Sequence, residues 1–182
     1  MAVAAKLPAV ESKKFYQLFY DLLIFTNNTR KVYPEYTGEL CYHGWERLTV
    51  LTRTLWENDE LLDLFLEEHP QLSEELKKIV KSWKNRRSGT FYLVRYWPEG
   101  ALFVAEDNQV YLVKGLKRIH KSLFGTDLPL KVEATLLPWK NEIITDGVYP
   151  GVRPNVPMEE QRRLQELLYP IEMRRQKIIT RL

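Results

Sequence analysis

Cations interleaved with aromatic residues are the first candidates for chemistry in this chain. Arg86, Arg87, Arg95, Lys114, Lys117 and Arg118 fall among or near Tyr92, Tyr96, Trp97 and Tyr111. Guanidinium and ammonium groups neutralise phosphate, and aromatic faces stack on bases. The mixture therefore predicts a single-stranded nucleic acid or a phosphorylated ligand bound on a basic sheet face. No RNP-like segment, glycine-rich phosphate loop or zinc-finger spacing accompanies it. The same aromatics also suit a buried core, and both readings stay open.

Glu133 and Asp146 are the second candidate. If Leu137 pairs with Glu142 across a hairpin turn, the register sets Glu133 opposite Asp146. Two carboxylates that close demand a cation, a shared proton or a metal, which is how acid/base and metal-assisted hydrolases are built. A one-residue slip would abolish the pair. His43, His69 and His120 have no metal-ligand spacing, and the serines lack a nucleophile elbow. No metal site and no cofactor is predicted, and an enzyme is the less favoured reading. The single cysteine, Cys41, excludes an internal disulfide framework and points to a reducing compartment.

The charges are also segregated along the chain. From Glu57 to Leu76 there are eight carboxylates and no Lys or Arg; from Lys77 to Arg95 there are seven cations and no acid. Acids at a helix start and cations at its end both interact favourably with the macrodipole. Ser73-Glu74-Glu75 followed by Lys77, Lys78, Lys81 and Lys84 is that arrangement. What it leaves unexplained is Arg86, Arg87 and Arg95, which continue past the helix.

The elements that must position these groups follow from periodicity. Helical spacing predicts four helices in the first 85 or so residues. The first is capped by Ser12 and stopped at Asn27-Asn28; a later one is capped by Asn58, and the fourth by Ser73. After Ser88-Gly89 the pattern becomes strand-like. Thr90–Trp97, Ala101–Ala105 and Gln109–Lys114 predict an antiparallel meander. A short helix spans Gly115–Phe124. Leu130–Leu137 and Glu142–Thr145 form a hairpin around Pro138-Trp139-Lys140-Asn141. The strands are apolar on both faces, so two covers are expected, the N-terminal helices and a C-terminal helix that Pro170 kinks or ends. The sequence thus predicts an α+β fold with a mainly antiparallel sheet of about five strands. It divides as 1–88 and 89–182 within one compact unit.

Ser82-Trp83-Lys84, Phe91 with Arg95, Val110-Tyr111 with Val113, and Gly115-Leu116 begin a pattern over about residues 67–148. Val132-Glu133 with Leu136-Leu137-Pro138, Ile143 and Asp146-Gly147 complete it. In that stretch the chain resembles a family of uncharacterised bacterial proteins best known from Gram-positive genomes. The resemblance implies a bacterial origin, supplies no mechanism and transfers no catalytic residue.

No run of about 18 apolar residues exists to span a bilayer, and the Met1–Pro8 stretch is too short for a secretory signal. A cytoplasmic protein is expected, with no membrane partner. A net charge of +3 is too small to identify a nucleic-acid binder by itself. Three function classes result. The first is a non-catalytic interaction module that contacts a protein or self-associates through Ile178, Ile179 and Leu182. The second is a nucleic-acid or phosphorylated-ligand binder through the six cations, and the third a hydrolase using Glu133 and Asp146.

Overall fold

The computed structural model describes residues 5–35, 44–174 and 177–182. Cys41, His43 and the Thr37-Gly38 turn lie outside the described residues. The fold is α+β. Tertiary contacts divide it into two compact units, Ala9–Asn85 and Met1–Pro8 with Arg86–Leu182.

The first unit is helical: α1 (Ala9–Arg30), α2 (Trp45–Trp56), α3 (Glu60–Glu68) and α4 (Glu74–Ser82), then a 3-10 turn at Trp83–Asn85. Phe15, Leu18, Phe19, Leu22 and Leu23 are buried on α1 as their spacing predicts. Trp83 meets Phe15, Phe19 and Trp56 edge-on at 6.0, 6.4 and 6.0 Å, the favoured aromatic geometry. Two predicted caps are corrected. Ser12 is buried inside α1, which starts at Ala9 directly after Pro8, because proline is suited to the edge of a helix start. Asn58 donates its Nδ2–H back to the Thr54 carbonyl at 2.7 Å and so closes α2. Ser73 does cap α4, accepting from the Leu76 N–H at 3.3 Å.

In the second unit β1 (Arg87–Trp97), β2 (Gly100–Ala105) and β3 (Val110–Lys114) form the predicted meander. After α5 (His120–Phe124), β4 (Leu130–Trp139) returns antiparallel to β1. The spatial order β4-β1-β2-β3 is a Greek key. β5 (Glu142–Thr145) then pairs antiparallel with β4 and parallel with β3. The ring β1-β2-β3-β5-β4-β1 is thereby closed into a five-stranded barrel. Ala101, Ala105 and Ala134 share its interior with Phe91, Phe103 and Tyr111. Small residues beside large ones are what a barrel this narrow requires.

The other strand face explains why the strands are apolar on both sides. β6 (Val152–Arg153) adds to β4, and the following α6 (Met158–Arg174) lays Leu164, Leu168 and Ile171 over Tyr92, Val94, Leu102, Val104 and Val110. α6 continues through Pro170 rather than stopping there. Pro170 is exposed, so water can reach the carbonyl it leaves unpaired, while Leu168 and Ile171 anchor the helix on either side. None of the described helices is long and apolar enough to cross a membrane.

Both ends of this unit are tied to the barrel. The Leu7 N–H donates to the Gly115 carbonyl at 2.8 Å, and Gly115 N–H donates to the Ala5 carbonyl at 2.9 Å. β7 (Ile178–Ile179) pairs parallel with Val110 and Tyr111 of β3. The helix expected from Gly115 begins only at His120. A Cβ at Gly115 would come within 2.1 Å of the Arg118 carbonyl oxygen, so the chain turns too tightly there for any larger residue.

Candidate anion-binding groove

Along β1, Phe91 and Leu93 point into the barrel, and simple alternation would send Arg95 in after them. A bulge prevents it. Leu93 lies opposite Phe103, but Arg95 lies opposite Leu102, so the register shifts by one residue between them. Leu102 belongs to the outer face under α6, and Arg95 is turned out with it. The same shift turns Tyr96 inward, where it packs on the barrel core and donates its hydroxyl to the Gly125 carbonyl at 2.9 Å.

Arg95 emerges into a half-open groove of about 410 Å³ beside α6. Its polar lining is Arg95 from β1, Lys121 from α5, Thr126 from the loop before β4, and Gln161 and Gln165 from α6; Leu164 and Leu168 give it an apolar wall. Those four α6 residues recur at i, i+3, i+4 and i+7 and so share one face. Gln161 donates to the Val156 carbonyl at 2.8 Å, which orients its amide. No carboxylate is among the described lining residues. Two cations, two amides and a hydroxyl can hold an anion by charge and hydrogen bonds. They contain no nucleophile paired with a base.

The six cations named from the sequence do not form one surface. Arg86 and Arg87 stand at the start of β1, roughly 26 Å of extended strand from Arg95. Arg87 is committed to the far end of the barrel: it pairs with Asp107 at 2.5 Å, donates to Gln109 at 2.9 Å and lies over the Tyr111 ring at 5.5 Å. Lys114 is paired with Glu142 at 2.8 Å and its side chain is only 11% exposed. Arg118 donates to the Ser122 carbonyl at 3.0 Å, and the Lys117 carbonyl accepts from Lys6. Only Arg95 lines the groove. Lys121, Gln161 and Gln165 join it through the bulge and the seating of α6, for which the sequence offers no local signal.

The carboxylate pair is also corrected. The hairpin turn is the two residues Lys140-Asn141, with Lys140 at φ 56°, and Trp139 pairs with Glu142. A positive first φ suits a tight two-residue hairpin turn, and it moves the register by two residues. Glu133 is flanked instead by Thr90 on β1, and its N–H donates to the Gly151 carbonyl at 2.8 Å. Its carboxylate is half-exposed, 3.9 Å from Arg153. Asp146 is 2% exposed and accepts from the Val148 N–H at 2.9 Å, a local turn contact. Among the described residues no group of three or more His, Cys, Asp or Glu side chains is placed to hold a metal.

The apolar end assigned to a partner is used within the chain. Ile178 and Ile179 form β7; Ile179 and Leu182 pack against the barrel core, and Ile178 packs against the outer cluster. No protein-family model, curated protein or solved structure matches the chain.

Proposed function

We propose that the protein is a non-catalytic binding module whose barrel unit takes a phosphate-bearing ligand in the groove beside α6. The observation that carries this reading is the lining, Arg95 and Lys121 with hydrogen-bonding amides and no acid, around a space of about 410 Å³. That volume suits a small ligand or a short terminal segment of a longer one.

Fold analogy adds little. Five-stranded Greek-key barrels of the OB type bind oligonucleotides and oligosaccharides on the outer face of their second and third strands. Here that face is Leu102, Val104 and Val110, aliphatic and covered by α6. It offers no exposed aromatic platform, so the groove itself must justify the reading.

The test is calorimetric titration of the full chain with inorganic pyrophosphate and with a short thymidine oligonucleotide. Both are expected to bind and to weaken with added salt, the oligonucleotide more steeply. Replacing Arg95 and Lys121 together by alanine should weaken binding by about tenfold or more, the cost of losing charge-assisted contacts. Absence of binding at low salt, or affinity unchanged in the double variant, would refute the proposal.

A further inference from the structure

The helical unit has a groove of its own, about 570 Å³, in which the sign of the charge is reversed. Asp21, Ile24, Phe25, Asn28 and Thr29 reach it from one face of α1, and Glu68 and His69 from the end of α3; among the described residues no lysine or arginine lines it. Some acids of the unit do have cationic partners, Glu60 in Arg30, Asp63 in Lys84 and Glu74 in Lys77. Asp21 and Glu68 have no hydrogen-bond or ion-pair partner among the described residues. Burial pushes the Asp21 carboxyl up, and the nearby His69 pulls against it.

His69 is held in one orientation. Its Nδ1–H donates to the Phe65 carbonyl at 2.8 Å, and its ring stacks on Phe65 at 4.2 Å and meets Phe25 edge-on at 6.0 Å. With Nδ1 engaged as donor, neutral His69 carries its lone pair on Nε2. The groove therefore combines two carboxylates and an imidazole acceptor with one aromatic ring, Phe25. Carboxylates take N–H donors in charge-assisted bonds, and aromatic rings attract cations.

We propose that this groove binds an organic cation of the alkylammonium or guanidinium class, with Asp21 and Glu68 as its counter-ions and His69 Nε2 as a further acceptor. The site is separate from the anion groove and does not depend on that reading. A metal ion is the poorer fit, since the described residues bring no three ligands together there.

The experiment follows the His69 imidazole by NMR in the full chain, assigned with His69→Gln, as 1,4-diaminobutane is added at constant ionic strength. A saturable shift of that resonance is expected. Its midpoint should move to about tenfold higher diamine in the Asp21→Asn, Glu68→Gln double variant, which preserves shape and removes charge. A shift that fails to saturate, one reproduced by sodium chloride alone, or an unchanged midpoint in the double variant would each overturn the proposal.

Discussion

The two grooves are opposite in charge and also in how they are made. Five of the seven described residues lining the acidic groove come from α1 at helical spacing, so one regular element supplies most of its described lining. The cationic groove takes Arg95 from a bulged strand, Lys121 from a five-residue helix, Thr126 from a loop, and its amides from α6. A site built on one helix and the end of α3 depends on the packing of the helical unit, whereas a site assembled from strand, loop and helices depends on the barrel that holds them in register. Damage to the barrel should therefore remove the cationic groove and leave the acidic one.

Phe103→Ala gives the largest test of that difference. Phe103 is fully buried between Phe91 and His120, and truncating such a ring costs about 3–5 kcal/mol. Urea unfolding should show that loss, and hydrogen exchange should place it in β1–β3 while α1 keeps its protection. Equal loss of protection in α1 would mean that the two units unfold as one.

A pH effect of nearly the same size is expected from His120. Both ring nitrogens are buried without a partner among the described residues, and burial pushes the imidazole down to about 4. An unfolded histidine takes up its proton near pH 6.5. Between about pH 6.5 and 4 the unfolded chain thus binds more protons than the folded one. This contribution is complete above pH 6.5 and is lost as the pH falls through that window, by about 3 kcal/mol in all. Stability curves of the protein and of His120→Leu should diverge across this window and nowhere above it; parallel curves would show that the imidazole has found a partner.

Ser73→Ala is the smallest perturbation and belongs to the helical unit. Loss of its bond to the Leu76 N–H should cost about 1 kcal/mol. Protection in α4 should fall while β1–β5 are unaffected.

The same contrast between local and assembled structure decides which features are legible in the sequence. The buried stripe of α1 and the Ser73 cap are written in neighbours within a turn or so, and the meander in its short connections. Closure of the barrel is different, because the parallel pairing of Val113 with Ile143 has no local marker. Nor does the bulge at Val94, although it decides that Arg95 faces out. The expected Glu133–Asp146 pair failed over whether Pro138 and Trp139 belong to turn or strand, a two-residue difference that moved every pairing after it. The six cations fail as one surface because Arg87 and Arg95 sit at opposite ends of one strand, as their spacing already implies, and because strand sequence does not say which acids lie nearby.

The placement of β7 bears on the order in which the protein is made. The helical unit is complete once Asn85 has left the ribosome, but Val110 and Tyr111 must wait for Ile178 and Ile179. At typical synthesis rates that delay is roughly 3–14 s. In the part of that delay after Thr145 has emerged, part of β3 presents an unpaired apolar edge next to a nearly finished barrel, the kind of surface on which nascent chains associate or are held by chaperones. The barrel is thus most vulnerable after most of it has already formed.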